Sequence, residues 1–186
     1  MLNGASVTRP GLRIVPSDEL TNDDTAAMRA LFEAAWPPGW FDEHDWDHMF
    51  PGVHFLLDVD GEIASHGCVV PREIHAAGHE LRTGYVENVA TWPARQGRGH
   101  ATSLMRAIDE HVLGGYELGC LDTGVGGFYE RLGWRRWRGP TFVRTDRGPT
   151  RTEEEDGAVF VLPTPASPEL DLSGPISCPW RPGDVW

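Results

Sequence analysis

The sequence predicts an α/β fold, a sheet of mixed strand direction with helices on both faces. Three observations carry this. Segments with a helical apolar period alternate with short β-prone runs. Asp60-Gly61 lies between two such runs, the signature of a tight hairpin. A glycine-rich turn, Gln96-Gly97-Arg98-Gly99-His100-Ala101, leads from a strand directly into an amphipathic helix.

In chain order, residues 22–36 read as a helix. Met28, Leu31, Phe32 and Ala35 recur at i, i+3, i+4 and i+7, Asp23 and Asp24 occupy the first turn, and Pro37-Pro38-Gly39 stops it. A brief helix capped by Asp42 follows in an acidic, aromatic segment. Residues 54–60 and 62–71 are the hairpin strands, and a turn at Ala77-Gly78 leads into a strand over 85–92. The helix after the glycine turn carries Ala101, Leu104, Met105, Ile108 and Val112 on one face and ends at Gly114-Gly115. A strand over 118–123 comes next, then a short helix through Phe128 and Leu132 closed by Gly133. Residues 134–145 and 158–162 are the last strands, with a turn at Asp156-Gly157, and the proline-rich tail from Pro163 is extended. One domain accounts for the whole chain, 1–186.

A net charge of −12 argues against nucleic acid, whose phosphates are met by Lys and Arg, and equally against an anionic membrane surface. No apolar run approaches the roughly 18–20 residues that span a bilayer. The N-terminal residues lack the basic and apolar segments of a secretory signal. Cys68, Cys120 and Cys178 are widely spaced without a CxxC pair, which favours a reducing compartment, the cytoplasm. An acidic surplus suits a cationic partner.

The glycine turn is an anion site in sequence terms. Its N–H groups converge at a helix N-terminus, and Arg95 and Arg98 add positive charge. Neither the P-loop pattern nor Gly-x-Gly-x-x-Gly is present. On the preceding strand Glu87 is a lone carboxylate flanked by Val86 and Val89; burial there raises its pKa toward the range of a general base, or it serves as an ion pair inside the sheet. About thirty residues after the turn, Phe128-Tyr129-Glu130-Arg131-Leu132-Gly133-Trp134 presents a tyrosine on a helix that closes on glycine. His44 and His48 share a helical face, as metal sites require, but no third ligand and no His-Glu-x-x-His accompany them, so no metal is expected.

The turn and this second element together resemble the acetyl-CoA site of the GCN5-related N-acetyltransferases (GNAT). The likeness narrows further. Tyr85-Val86-Glu87-Asn88-Val89-Ala90, Gly-Pro-Thr at 139–141, Gly-Pro-Thr-Arg-Thr at 148–152 and the ending Trp-Arg-Pro-Gly-Asp-Val-Trp look like the aminoglycoside 2′-N-acetyltransferases, in the same order from about Phe41 to Trp186. The resemblance implies the GNAT fold, a mixed, mostly antiparallel sheet with helices on both faces, and direct transfer from acetyl-CoA to an aminoglycoside amine. It implies that backbone groups of Val89, Ala90 and Thr91 pair with the pantetheine arm and that Gln96, Gly97, Arg98, Gly99, His100 and Ala101 hold the pyrophosphate. Tyr129 becomes the general acid and Glu87 the general base.

Acceptor-contacting positions are Asp45, Asn88, Asp122, Glu154, Glu155, Asp184 and Trp186, the last through a C-terminal carboxylate. The chain departs from the family at Trp40 and at Pro179, where broad-range members carry acids, and at Asp122, where they carry a hydroxyl residue. Fewer acids and an extra aromatic at Trp40 point to an acceptor with fewer amines, such as kasugamycin, beside the broader kanamycin and gentamicin set. Family membership makes a homodimer an option. Two readings stay open: an N-acetyltransferase of polyamines or peptide N-termini, and an acetyl-CoA-binding sensor without turnover.

Overall fold

A computed structural model describes residues 11–186. The N-terminal residues read as lacking a secretory signal lie largely outside that range. The chain runs β1 (Leu12–Pro16), α1 (Asn22–Ala35), α2 (Glu43–Asp47), β2 (Val53–Val59), β3 (Glu62–Ala76), β4 (His79–Thr91), α3 (His100–Gly115), β5 (Leu118–Asp122), α4 (Gly126–Glu130), β6 (Arg135–Arg136), β7 (Thr141–Thr145), β8 (Gly148–Arg151), β9 (Val159–Pro163) and β10 (Ile176–Pro179).

All of these strands join one sheet. Its main path is β6-β9-β5-β4-β3-β10-β7-β8, and β1-β2 is attached to the same edge of β3 as β10, further along the strand. Only β4–β5 and β7–β10 pair in parallel. Local chemistry fixes the hairpins. Asp60 and Gly61 (φ 57° and 83°) and Ala77 and Gly78 (φ 52° and 79°) hold positive φ at both central positions, the type I′ geometry whose twist matches the strands. Thr21 and Asp24 form a reciprocal capping box at the head of α1, and Asp42 and Asp45 form another at α2.

Successive residues of β4 point to opposite faces, so Tyr85 joins one core and Val86 the other. The first core packs Met28, Leu31 and Phe32 of α1 with Trp137 and Trp186; the second packs Leu104, Met105, Ile108 and Val112 of α3 with Trp134 and Phe160. Helices therefore cover both faces. Three details differ from the sequence reading. Gly114 and Gly115 lie inside the last turn of α3 without positive φ, and Tyr116 in extended conformation ends the helix. The single strand expected over 134–145 is divided into β6 and β7. The tail pairs as β10 between β3 and β7. Among the described residues no helix is long and apolar enough to cross a membrane.

Candidate active site

The site starts from a bulge in β4. His66 pairs with Ala90 and Cys68 with Glu87, so Asn88 and Val89 together oppose Gly67 alone. Asn88 takes φ 50° to make it. The extra residue shifts the alternation: Ala90 joins the α1-side core beside Cys68, the partner of Glu87, while Val86 and Val89 pack on the α3 side. A side chain at position 67 has no room, since a Cβ there lies 2.8 Å from Ile108 Cδ1 and 3.3 Å from Val89 Cγ2.

Two buried histidines pin the bulge. His66 Nδ1 lies 2.9 Å from the Asn88 carbonyl, His66 Nε2 lies 3.1 Å from His54 Nδ1, and His54 Nε2 lies 3.1 Å from Ser17 Oγ. The carbonyl can only accept, which assigns the ring protons: His66 Nδ1–H donates to Asn88 and His54 Nδ1–H to His66, leaving His54 Nε2 an acceptor beside the Ser17 hydroxyl, which also faces the Gly52 carbonyl at 3.0 Å. Burial pushes His66 down to about 3 and His54 to about 4, so both stay neutral. Asn88 Nδ2–H donates in turn to the Asp45 carbonyl at 2.8 Å.

Just before the bulge β4 leaves β5. Their ladder covers Thr83–Leu118, Gly84–Gly119 and Tyr85–Cys120, and from Glu87 onward the two strands splay. A cleft of about 540 Å³ opens there, lined by Val89, Thr91, Gln96, Gly97, Gly99, His100 and Ala101, with Tyr129 among its other walls. Gly97 and Gly99 need positive φ (73° and 82°), and a Cβ on either meets nothing within 4 Å, so conformation and not crowding requires glycine. Gly99 is the N-cap of α3, whose first-turn N–H groups have no intrahelical partners. Gln96 Nε2–H donates to the Thr91 carbonyl and the Ala90 carbonyl accepts from Ser65 Oγ, which ties the turn and the strand end together. Ala90 faces the other core, Arg98 is solvent-exposed, and Arg95 is charge-compensated by Asp60 (3.3 Å) and Glu62 (3.0 Å), so it adds little to the anion field. A larger groove of about 740 Å³ beneath α1 is lined by the Arg13–Asp24–Asp58 ion pairs, whose charges are spent on one another.

Tyr129 is held by the end of α4. Trp134 N–H donates to the Tyr129 carbonyl and Gly133 N–H to that of Glu130, with Gly133 at φ 99°, a Schellman closure. Its phenol is pushed up by burial and stays protonated near neutrality.

Glu87 is not a lone carboxylate. Its side chain is 11% exposed, and Oε1 accepts from Arg181 Nη1 at 2.5 Å. Burial pushes its pKa up, Arg181 and Arg72 pull it down, Asp184 adds to the rise, and the net direction is upward. Arg181 comes from the tail read as proline-rich and extended; only its position in Trp-Arg-Pro-Gly-Asp-Val-Trp could have marked it.

Around this pair gathers an acid cluster. Burial and Asp184 push Asp122 up to about 6, and one of its oxygens is buried without a partner among the described residues. Burial, Asp122, Asp184 and Glu154 push Glu155 up to about 7. Asp122, Glu155 and Asp184 are thus brought together, with exposed Glu154 next to them, and Asp184 also acts on Glu87.

Other expected acceptor residues are placed differently. Trp40 is 75% exposed. The Asp45 carboxylate is committed to the Asp42 N–H in the α2 cap at 2.9 Å. The Trp186 indole is buried in the core and donates to Thr152 Oγ1 at 3.1 Å. His48 Nε2–H donates to the Pro182 carbonyl and His44 abuts Gly183, so both imidazoles dock the tail. Among the described residues no group of three His, Cys, Asp or Glu is placed to hold a metal ion.

A splayed strand pair, a bulge beside a carboxylate and a glycine turn heading the next helix define a GNAT-type acetyltransferase, and the family model described as an acetyltransferase (GNAT) domain matches residues 17–137. An aminoglycoside 2′-N-acetyltransferase of Mycolicibacterium fortuitum is 39% identical over 178 residues, covering 94% of this chain and 91% of the relative. The chain belongs to the aminoglycoside 2′-N-acetyltransferase family within GNAT. Solved structures share the fold at lower identity. A GNAT family N-acetyltransferase of Escherichia coli in complex with CoA has TM-score 0.59 at 15% identity over 92% of each chain. A GNAT acetyltransferase of Brucella melitensis in complex with acetyl-CoA has TM-score 0.57 at 20% identity, covering 86% of this chain and 93% of its own.

Proposed function

We propose that the protein acetylates the 2′-amino group of an aminoglycoside from acetyl-CoA, by direct attack within a ternary complex. The observation that carries this is the β4 bulge, which sets Glu87 among acids on one side and Val89 in the glycine-turn cleft on the other. The cleft fits the co-substrate: Gly97, Gly99 and the first turn of α3 offer N–H groups to the pyrophosphate, and the unpaired edge of β4 at Val89 and Thr91 runs alongside the pantetheine arm. Acetyl-CoA supplies the activated thioester. Glu87 accepts the proton that the acceptor ammonium must lose before it attacks, and Tyr129, protonated by its burial, returns a proton to the departing thiolate.

Asp122, Glu155 and Asp184, from β5, the β8–β9 connection and the tail, hold the remaining ammonium groups, so the C-terminal tail completes the acceptor site. Acetylation removes one positive charge, which weakens the hold of these acids on the product and favours its release. Replacing Glu87 by Gln and Tyr129 by Phe lowers kcat, each by about 10²–10⁴-fold. Thiol release assays measure this, and unchanged rates in both variants would falsify the roles given.

For the acceptor we favour a kasugamycin-type compound with few amines, because Trp40 and Pro179 stand where the family's broad-range members carry acids. A panel of kasugamycin, kanamycin and gentamicin tests it; fast turnover of kanamycin with none of kasugamycin rules it out. The reaction places the enzyme in the cytoplasm, and the family supports a homodimer, which sedimentation equilibrium measures.

A further inference from the structure

Arg181 lies in the Trp-Arg-Pro-Gly-Asp-Val-Trp ending, where the sequence reading gave roles to Asp184 and Trp186 but none to the arginine, yet its guanidinium sits on the proposed base. Nη1–H donates to Glu87 Oε1 at 2.5 Å, Nε–H to the Asp184 carbonyl at 2.7 Å and Nη2–H to the Trp186 main-chain oxygen at 2.9 Å. The two paired side chains are 15% and 11% exposed. We propose that Arg181 is an internal stand-in for the acceptor's ammonium: it keeps Glu87 ionised while the acceptor site is empty and yields its place at Glu87 Oε1 to the arriving amine. This rests on the reading of Glu87 as the base.

A carboxylate this buried takes up a proton unless a cation faces it, and a protonated Glu87 cannot accept one from the amine. The groups facing it are Cys68 from β3, Arg72 further along β3, Tyr85 on its own strand, and Asp184 and Arg181 from the tail. Cys68 and Tyr85 are neutral, their thiol and phenol both pushed well up by burial. Arg72 directs Nη2–H to the Pro179 and Val185 carbonyls and lies over the Tyr85 ring, so it acts on Glu87 only as a more distant charge. Arg181 alone of these groups donates a hydrogen bond to Glu87.

The fork also joins the base to Asp184, whose carboxylate belongs to the acid cluster. An amine that binds there meets the guanidinium on the same buried carboxylate, and the two like charges repel each other across Glu87. A tail staple is a weaker account, because the tail is already anchored by Arg72 on Pro179 and Val185, His48 on Pro182 and the Trp186 indole on Thr152.

The test is the pH dependence of R181Q, R181K and E87Q, read separately as kcat/KM and kcat. The first reports the free enzyme, where Arg181 holds Glu87, and the second the ternary complex, where the amine has replaced it. In R181Q the acid limb of kcat/KM moves to higher pH, with a loss of about tenfold or more at the acid end that closes on the alkaline side. The acid limb of kcat stays where it is, and CoA affinity is unchanged. R181K, which keeps the charge, restores the kcat/KM limb; should R181Q not fold, a limb displaced in R181K overturns the proposal by itself.

A uniform loss at every pH in R181Q overturns it in favour of a staple. Equal movement of both limbs also overturns it, since Arg181 then stays on Glu87 throughout. Wild-type rates in E87Q signal a different failure, that of the base assignment itself.

Discussion

Replacing Asp122 by Asn stabilises the protein at neutral pH while weakening its acceptor site. The carboxyl at the end of β5 is held up at about 6 against an ordinary 3.8, chiefly by burial and then by Asp184, and one of its oxygens has no partner among the described residues. A carboxylate whose folded pKa is raised costs stability once it must ionise. Below about pH 4 it is protonated in both folded and unfolded chains and costs little. Between 3.8 and about 6 the unfolded chain ionises first, so stability falls as pH rises, and above about 6 the full cost remains. The gap between 3.8 and about 6 amounts to about 3 kcal/mol at about pH 8 and only about 1 kcal/mol at about pH 4.5. Asn keeps the shape and removes the charge, while the Thr123 N–H stays on the Ala158 carbonyl. Urea unfolding followed by tryptophan emission therefore shows a midpoint for D122N raised by about 1–3 M at the higher pH, with a smaller gain at the lower. Acceptor KM rises about tenfold or more, the loss of a charge-assisted contact. A variant less stable than wild type at about pH 8, or a gain equal at both pH values, refutes the reasoning.

Three further substitutions probe the scaffold. Gly99→Ala forces an L side chain to φ 82° in open space, so it costs about 1–2 kcal/mol of conformational energy alone; CoA titration and a thermal melt should show weaker binding with a modest drop in Tm. Gly126→Ala places a Cβ 2.2 Å from the Phe160 ring at the head of α4, which costs about 1–3 kcal/mol and displaces Tyr129, so kcat falls more than CoA affinity. His66→Phe leaves the Asn88 carbonyl and the His54 Nδ1–H without partners, at about 1–3 kcal/mol each; hydrogen exchange should locate the loosening at the β4 bulge, and uniform exchange would remove His66 from its pinning role.

Much of the fold was legible because its signals are local. Asp60-Gly61 and Ala77-Gly78 announce their hairpins in the residues that must hold positive φ, and the stripe Leu104, Met105, Ile108, Val112 needs only its own period to declare a buried face. The turn over 96–101 was readable for the same reason: Gly97 and Gly99 are required by their own φ values. What was hidden is non-local. Nothing in Ile-Ser-Cys-Pro at 176–179 tells that it inserts between β3 and β7, because a strand's neighbours are chosen by packing across the chain. Gly114-Gly115 misled for a related reason, since neither is forced to positive φ when Tyr116 can end the helix in extended conformation.

The active-site residues divide along the same line, and the division explains which charges were misread. A residue type is in the sequence, but the state of its charge depends on neighbours that only the fold supplies. Arg95 lines the glycine-turn cleft as its position suggests, but the hairpin also places Asp60 and Glu62 against it. Glu87 reads as alone until Arg181, 94 residues away, closes on it. Asp45 reads as an acceptor acid, and the fold adds a second use for it, since its carboxylate also caps α2 through the Asp42 N–H. Asp122 and Glu155 read as two acids among 28, yet burial raises them to about 6 and about 7, close to the pH at which an amine must be held and then released. An acidic composition therefore announces a cationic partner without locating the site. The location follows from which carboxylates the fold buries together, and here those are Asp122, Glu155 and Asp184, the last of which faces Glu87.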